Sequence, residues 1–187
     1  LGAQREWGQE MKIGVIADTH VPHVAPSLPP RVRELFADMD IILHAGDVCD
    51  LATLQALETI TITMAVAGNR DDAMVRRYVE PRRIVDFANR RIGMIHGHRG
   101  LLPELADTAQ ARLRGRPRYA GLYDYLLAQF PDVDCIVFGH THQPYCKVHN
   151  GILLFNPGTA APIRGVCPTI GVLDMSGKSI VGRILHL

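Results

Sequence analysis

The chain of 187 residues is 47% hydrophobic and 21% charged, as is usual for globular proteins, and its length suits one domain rather than two. Its formal net charge of +1 disfavours nucleic acid or an anionic membrane surface as a partner. No apolar run approaches the roughly eighteen residues of a membrane-spanning helix, and the four cysteines, which share no C-x-x-C spacing, favour a reduced, cytoplasmic protein.

The first predicted strand begins near the N-terminus. Residues 1–10 lack the basic start and apolar middle of a signal peptide, so we expect an N-terminal extension or tag remnant, followed by one domain over residues 11–187. An apolar run at residues 12–17 predicts a buried strand that leads directly into Asp18 and His20. Because alternate strand residues face the same side, these two side chains are expected to point together.

The next predicted elements alternate between helices and strands. Four prolines predict a stiff, irregular loop at residues 21–30, and helical spacing follows over residues 30–37. Strands are predicted at residues 41–45 and 60–67, with a helix capped by Asp50 between them. This alternation predicts an α/β sheet covered by helices.

The second half of the chain is predicted to continue this plan with more strands. Helices are expected at residues 101–113 and 122–130, and a hairpin turn at residues 88–90. The remaining strands are predicted at residues 83–87, 91–95, 134–138, 144–149, 152–155, 169–174 and 179–186.

Polar side chains follow directly on five of the predicted strands. They are Asp18, His20, Asp47, Asn69, His96, His140 and His142. Because ligands bind outside the carboxyl ends of strands in α/β sheets, we expect all of them at one edge. Side chains of this kind would repel one another or stay unsatisfied unless divalent metals joined them. Each piece alone is more often a turn or a structural polar residue, but the ordered set predicts a two-metal site.

Further residues surround this set. Gly46, Gly68 and Gly139 each precede a predicted ligand, and they are expected to let the backbone turn sharply beside the site. Cys49 lies two residues after Asp47. The sequence leaves open whether this thiol has a role near the site or is only a buried part of the fold.

The ordered set Asp-x-His, Gly-Asp, Gly-Asn-x-Asp, His-Gly-His and Gly-His-Thr-His resembles the calcineurin-like metallophosphoesterase superfamily. More narrowly, the chain is similar to the small single-domain prokaryotic phosphodiesterases of that superfamily. Residues 156–159 (Asn-Pro-Gly-Thr) are similar to the family's N-P-G-S/T turn. The resemblance implies an α/β fold in four α-β-β-α layers, with two mixed sheets face to face and helices outside.

The resemblance also implies which residues bind which metal. Asp18, His20 and His142 would hold one ion, Asn69, His96 and His140 would hold the other, and Asp47 would bridge both. Mixed nitrogen and oxygen ligands suit Mn²⁺, Fe, Zn²⁺, Co²⁺ or Ni²⁺ better than Mg²⁺, and the family most often works with Mn²⁺. Such an enzyme hydrolyses a phosphate ester by attack of a hydroxide that bridges two divalent metals.

Catalytic roles are expected for Asp47, Asn69 and two further residues. Many family members place a general-acid histidine after the asparagine, but this chain has Arg70 there. Arginine cannot donate its proton at neutral pH, although it can neutralise charge on phosphoryl oxygens. An exposed arginine paired with one of the next two aspartates is the alternative. His98, the last residue of His-Gly-His, either contacts a metal ligand or the substrate, or serves only the fold.

Several functional alternatives remain open from the sequence. The four arginines in residues 112–118 form either a phosphate-gripping lid or a solvated loop. A phosphodiesterase acting on a small phosphate ester is expected first; a phosphomonoesterase or nucleotide phosphohydrolase would use the same metals. A scaffold is the third hypothesis, because retromer contains a subunit of this fold, but every motif position here retains a competent ligand. Apolar residues 152–155 or the C-terminal strands are candidates for pairing subunits in a homo-oligomer.

Overall fold

Two five-stranded sheets form the centre of the fold. The computed structural model describes residues 11–87, 90–115, 117–176 and 179–187. The strands are β1 Lys12–Ile16, β2 Ile41–His44, β3 Thr63–Ala65, β4 Arg82–Phe87, β5 Arg90–Ile95, β6 Cys135–Val137, β7 Tyr145–His149, β8 Ile152–Asn156, β9 Thr169–Asp174 and β10 Val181–His186. The helices are α1 Pro30–Phe36, α2 Leu51–Glu58, α3 Ala73–Tyr78, α4 Leu101–Arg114 and α5 Ala120–Gln129.

The first sheet has the strand order β10-β9-β1-β2-β3. Strands β1, β2 and β3 run parallel, with Ile13 opposite Ile41 and Ile42 opposite Thr63. Strands β9 and β10 extend the sheet on the other side of β1 by antiparallel pairing. The carboxyl ends of three neighbouring strands therefore lie at one edge of this sheet.

The second sheet repeats this plan with the strand order β4-β5-β6-β8-β7. Strands β5, β6 and β8 run parallel, and the outer strands β4 and β7 pair antiparallel with β5 and β8. Each sheet thus contains three adjacent parallel strands and two antiparallel pairings, which makes both sheets mixed.

Strand β1 shows how the sequence produces the layers. Its alternate residues Ile13 and Val15 belong to the core shared by the two sheets, together with Met94 and Val137 of the second sheet. Ile16 faces the other way and packs against helices α1 and α2. This alternation follows from the two-residue period of a strand, so β1 is buried on both faces.

The second sheet is covered by a helix in the same manner. Leu122 and Leu126 of α5 pack with Ile136 of β6 and Leu154 of β8, in a cluster separate from the inter-sheet core. Helices on the outer faces of two stacked sheets give the four α-β-β-α layers expected from the sequence. The α/β class and the sandwich architecture are confirmed.

The structure differs from the sequence predictions in three places. Helix α3 was not predicted. Strand β3 is shorter than the predicted strand, because the backbone amides of Ile60 and Thr61 donate hydrogen bonds to the Leu57 carbonyl and thereby close the end of α2. Residues 152–155 are not an exposed pairing surface, since β8 lies between β6 and β7 and its residues 153–155 are buried. That part of the oligomer prediction is wrong.

Some predictions fall on residues that are not described, namely the extension at residues 1–10, the turn residues Ala88 and Asn89, and Arg116 of the arginine-rich segment. Within the described ranges, no helix is both long enough and apolar enough to cross a bilayer. The four cysteines are all free.

Candidate metal centre

The predicted ligands follow the parallel strands of both sheets. In the first sheet, Asp18 and His20 come after β1, Asp47 after β2 and Asn69 after β3. In the second sheet, His96 comes directly after β5, and His140 and His142 follow β6. Because the sheets are stacked face to face, these two rows of strand ends meet at one edge of the sandwich. Short contacts join the side chains or the backbone of all seven residues.

One group of possible ligand atoms contains Asp18, His20 and His142. Nε2 of His142 lies 3.3 Å from Oδ1 of Asp18 and 3.2 Å from Nε2 of His20. Nε2 of His20 is 3.9 Å from the same Asp18 oxygen. All three ligand atoms lie within 4.8 Å of one another, a spacing that allows a single ion to contact them together.

A second group contains Asp18, Asp47 and His96, and it shares Asp18 with the first. Nε2 of His96 lies 3.4 Å from Oδ2 of Asp47 and 3.9 Å from Oδ1 of Asp18. Oδ1 of Asn69 is 3.1 Å from the same histidine nitrogen. Oδ2 of Asp47 also lies 3.9 Å from Nε2 of His20, so this carboxylate reaches both groups. The structure therefore places two carboxylates, rather than Asp47 alone, between the two groups.

Oδ1 of Asp18 is the clearest sign that an ion fits here. The residue is completely buried, and among the described residues this oxygen has no hydrogen-bond partner. A buried carboxylate oxygen without a partner is costly, and it faces imidazole nitrogens from both sheets. A divalent cation would satisfy the oxygen and the nitrogens together. The donor set of imidazole nitrogens with carboxylate and amide oxygens fits Mn²⁺, Fe, Zn²⁺, Co²⁺ or Ni²⁺.

The orientation of His96 is fixed by a bond from its other ring nitrogen. Nδ1 of His96 donates to the Ala45 carbonyl at 2.8 Å, which leaves Nε2 directed at the carboxylates. Burial alone would lower the pKa of His96, but the hydrogen bond to Asp47 and the charges of Asp18 and Asp47 raise the pKa to about 9. Burial likewise opposes ionisation of Asp47, yet His96 and the Arg70 amide hold the pKa of Asp47 well below its ordinary value. In the absence of metal, Asp47 is therefore an ionised carboxylate beside a protonated His96, and a bound cation would displace that proton.

The backbone at the site is largely left-handed. Such φ values are uncommon for residues other than glycine, and each costs of order 1–3 kcal/mol unless the surroundings enforce it. Five of the seven predicted ligands have them: Asp18 (φ 51°), His20 (48°), Asp47 (56°), His140 (68°) and His142 (55°).

The glycines near the ligands serve two different purposes. Gly46 has φ +89°, so it provides the sharp turn that the sequence predicts. Gly68 is not in the left-handed region; a side chain there would instead collide with the Asp47 carboxylate and backbone amide. Gly68 is therefore required for close approach rather than for turning.

Glu104 of α4 is a site residue that the sequence did not reveal. Its Oε1 lies 2.8 Å from Nε2 of His140, and the backbone amide of His140 donates to Oδ2 of Asp18 at 2.9 Å. An Nε2–H that donates to Glu104 leaves Nδ1 as the histidine nitrogen able to bind an ion. The carboxylate comes from a helix 36 residues earlier, and no motif spacing links the two.

Cys49 and His44 lie close to the ligands without belonging to them. Sγ of Cys49 is 3.7 Å from Nδ1 of His20, so this thiol contacts the side of the ring that faces away from the carboxylates. His44 is fully buried; its Nδ1 accepts the Gly46 amide at 3.2 Å and its Nε2 lies 3.2 Å from Oγ1 of Thr19. His44 is therefore a hydrogen-bonded core histidine.

The Asn-Pro-Gly-Thr turn at residues 156–159 is hydrogen-bonded to the loops that carry the predicted ligands. Nδ2 of Asn156 donates to the Gly139 carbonyl at 2.8 Å, directly before His140. Oγ1 of Thr159 donates to the Asp18 carbonyl at 2.7 Å. The turn thus fixes the backbone of one ligand from each sheet.

The two remaining candidates, Arg70 and His98, lie at the exposed side of the site. The Arg70 amide donates to Oδ1 of Asp47 at 2.6 Å, while its side chain is exposed. Asp71 is occupied by the amides of Cys49 and Gly68, so the described contacts do not support an Arg70–Asp71 ion pair. The exposed His98 ring lies 5.7 Å from that of His96 and 6.4 Å from that of His140, centroid to centroid.

Comparison with known proteins gives this geometry a context. A family model described as the calcineurin-like phosphoesterase superfamily domain matches residues 11–178. A protein of Methanothermobacter thermautotrophicus described as a probable metallophosphoesterase is 35% identical over 179 residues, covering 94% of this chain and 92% of its own. A phosphodiesterase of Methanocaldococcus jannaschii is 25% identical and covers 90% of this chain and 95% of its own. Among solved structures, vacuolar protein sorting 29 of Cryptosporidium parvum is similar with a TM-score of 0.75 and 25% identity, covering 96% of this chain and 93% of its own.

Proposed function

The chain belongs to the calcineurin-like phosphoesterase superfamily, and from this premise we propose that it is a metal-dependent phosphodiesterase acting on small phosphate esters. The observation that carries the proposal is the buried Asp18 oxygen without a partner, set between two groups of ligands. A protein whose fold alone mattered would gain nothing from leaving this oxygen unsatisfied among histidine side chains.

We assign the ligands of the two ions from these contacts and from the family motifs. Asp18, His20 and His142 would hold the first ion, and Asn69, His96 and His140 would hold the second. Asp47 would contact both, since its Oδ2 lies within 3.9 Å of a histidine from each set. Mn²⁺ is the first choice of metal, with Fe, Zn²⁺, Co²⁺ and Ni²⁺ as alternatives.

The protein's part in hydrolysis is to position groups and place charge. When bound, two divalent ions would lower the pKa of water and neutralise phosphoryl oxygens, so that water replaces one ester oxygen at phosphorus. The Arg70 amide holds Oδ1 of Asp47 and thereby directs Oδ2 at the histidines. The exposed guanidinium of Arg70 is free to reach a phosphoryl oxygen above the site, where it stabilises developing negative charge.

Neither Arg70 nor His98 is an efficient acid for the leaving group. Arg70 keeps its proton. Partial burial of the imidazole, together with the nearby His96 and His140, lowers the pKa of His98, so a smaller fraction of this ring carries a proton than in a free histidine. The departing oxygen must therefore leave largely as an anion. Esters with good leaving groups, such as nitrophenyl diesters, should be hydrolysed much faster than simple alkyl diesters, and equal rates on the two would contradict this mechanism.

Metal analysis combined with a diester assay tests the function. Purified protein should contain up to two divalent ions per chain and hydrolyse bis(4-nitrophenyl) phosphate, whereas Asp47→Ala should lose bound metal and turnover together. Glu34→Ala, on the exposed face of α1, is the matched control for loss of a carboxylate. Circular dichroism must show that Asp47→Ala is folded; a folded Asp47→Ala enzyme with full activity would refute the proposal.

The same ester assays and metal analysis distinguish two other functions from the proposed one. A phosphomonoesterase or nucleotide phosphohydrolase would prefer 4-nitrophenyl phosphate to its diester. The likeness to vacuolar protein sorting 29 favours a scaffold as the second candidate. A scaffold would bind metal without hydrolysing either ester, so metal content alone does not decide between them.

A further inference from the structure

Helix α4 turns a polar side towards the protein and an apolar side towards solvent, which is the reverse of the usual arrangement. On the inner side, Oε1 of Glu104 lies 2.8 Å from Nε2 of His140, and Oδ2 of Asp107 accepts a hydrogen bond from Arg99 at 2.6 Å. None of residues 101–113 is buried. Polar contacts therefore anchor α4 to the rest of the chain, and its apolar residues are left exposed.

The exposed apolar residues of α4 form one continuous stripe. At about 100° per residue, five of them fall within an arc of about 100° on the side opposite Glu104 and Asp107. They are Leu102, Leu105, Ala106, Ala109 and Leu113, and we call them the leucine stripe. Leu102, Leu105 and Leu113 expose 79%, 54% and 84% of their surface. Single exposed leucines are ordinary, but a contiguous apolar stripe on a helix marks an interaction surface.

The order of residues along the leucine stripe suits a second copy of α4 running antiparallel to the first. A two-fold axis midway between Ala106 and Ala109 brings each of these alanines opposite the other one in the second copy. The same axis brings Leu102 opposite Leu113 of the second copy. Small residues at the crossing point let two helices approach closely, and the leucines at both ends then cover the contact. The stripe is therefore self-complementary, as a two-fold interface requires.

The charges near the stripe permit this self-association. The stripe itself contains no charged residue, and Arg112 is the charged residue that flanks it most closely. In the antiparallel pair, the two copies of Arg112 would lie about 13 Å apart along the helix axis. This separation exceeds the Debye length of about 8 Å at physiological ionic strength, so their repulsion is largely screened. A charged partner surface, by contrast, would find no complementary charge in the stripe.

We propose that the leucine stripe is a homodimer interface in which two copies of α4 pack antiparallel. This inference goes beyond the proposed phosphodiesterase function and does not depend on it. It places the contact between subunits on a helix rather than on the C-terminal strands. A helix of 14 residues is about 21 Å long, so the contact is smaller than a standard stable interface. The dimer should therefore exchange with monomer at micromolar protein concentrations.

Sedimentation velocity over a series of protein concentrations tests the interface. The wild type should shift from monomer to dimer as the concentration rises through the micromolar range. Leu113→Asp should raise the Kd of the dimer by about 100-fold or more, because each dimer would bury two carboxylates in an apolar contact. Leu113 is 84% exposed, so its replacement removes no core contact. Val181→Asp, at an exposed apolar position of β10, is the matched control and should leave the Kd unchanged.

A cross-linking experiment tests the antiparallel geometry directly. The two copies of Ala109 would lie about 4.5 Å apart along the axis, so Ala109→Cys should form a disulfide between subunits on mild oxidation. The exposed Cys146 and Cys167 are replaced by serine in this variant to remove competing thiols. Arg31→Cys in the same background, at an exposed position of α1, should stay monomeric.

Three outcomes would overturn the interface. A wild type that stays monomeric leaves the stripe to a different protein, and equal dimerisation of Leu113→Asp and the wild type excludes the stripe from the contact. A dimer that Val181→Asp dissociates and Leu113→Asp does not would place the contact on the C-terminal strands. None of these measurements depends on ester hydrolysis, so the proposed function can fail while the interface stands, and the reverse.

Discussion

Oδ2 of Asp18 accepts a 2.9 Å hydrogen bond from the backbone amide of His140, a residue 122 positions further along the chain. Asp18 follows β1 of the first sheet, and His140 follows β6 of the second. One carboxylate therefore ties the two sheets together at their ligand-bearing edge with one oxygen, and presents the other oxygen to the histidines. Structural and chemical roles are divided between the two oxygens of a single side chain.

Replacing Asp18 by asparagine should separate these two roles. The amide oxygen can still accept from His140, so the stability of Asp18→Asn in a chelator should match or exceed that of the wild type. Metal that binds only the folded state adds about 4 kcal/mol at roughly a thousandfold excess over its Kd, and Asp18→Asn should lose most of this increment. Urea unfolding with Mn²⁺ and with chelator measures both values; Asp132→Asn, at an exposed position, is the control.

Glu104 should control how tightly the second ion is held. Partners that orient a metal-bound histidine are worth about 10–100-fold in metal affinity, so Glu104→Ala should weaken one of two Mn²⁺ sites by about tenfold or more. Glu104→Gln keeps an acceptor for Nε2 of His140 and should retain most of the affinity. Calorimetric Mn²⁺ titration, with the binuclear electron paramagnetic resonance signal as a second readout, distinguishes these cases. Tighter binding by Glu104→Ala would show that the carboxylate competes with the ion for His140.

The buried His44 should make stability depend on pH below neutrality. Burial lowers the pKa of His44 from 6.5 to about 3, so the folded protein keeps this ring neutral while the unfolded chain protonates it. Stability from this residue is complete above pH 6.5 and is lost as pH falls towards 3. The loss between pH 7 and pH 5 is about 2 kcal/mol.

Urea unfolding in chelator at both pH values isolates the contribution of His44. His44→Gln cannot titrate, so its free energy of unfolding should fall less than that of the wild type between pH 7 and pH 5. An identical decrease in both proteins would show that His44 is protonated as easily in the folded state as in the unfolded state.

The four thiols should divide into two classes towards Ellman's reagent. Cys146 and Cys167 are exposed, whereas Cys49 and Cys135 are buried. Burial and the nearby aspartates raise the pKa of Cys49 to about 12, so this thiol is both inaccessible and protonated. Two thiols should react in the native protein and all four in urea. Rapid reaction of a third native thiol, assigned by mass spectrometry to Cys49, would mean that the loop after β2 opens readily.

The parts of the fold that sequence reasoning predicted well are those with strong local signals. Strands β1 and β2 are apolar runs bounded by turn residues, and their parallel pairing in the structure agrees with the α/β sheet that the alternation of strands and helices predicts. Helix α3 was missed because it has only six residues and a single buried side chain, Val75. The signal that could have revealed it is Asp72, whose carboxylate caps the helix by accepting the Val75 amide.

In the candidate site, the ligand residues could be predicted from sequence motifs, whereas the contacts between distant segments could not. Five of the seven predicted ligands have side chains in the two groups of possible ligand atoms, since the end of a parallel strand fixes where its next residues lie. Asn69 adjoins them through His96, and His140 adjoins them through its backbone amide. The position of Asp18 Oδ1 between both ligand groups depends on how the sheets stack, which no local pattern records. Glu104 likewise reaches His140 only because α4 packs over the second sheet's loops.

The left-handed backbone of the ligand residues has a consequence for how such a protein would change if it no longer needed metal. Glycine, and to a lesser degree asparagine, adopts these φ values with little strain. A descendant free of the chemical requirement would gain stability by exchanging Asp18 or Asp47 for asparagine, which keeps an oxygen for the amide of His140 or Arg70, or His140 for glycine, while the loops kept their course. The backbone shape of the loops would then persist after the metal ligands were lost, and it would still mark the former position of the site.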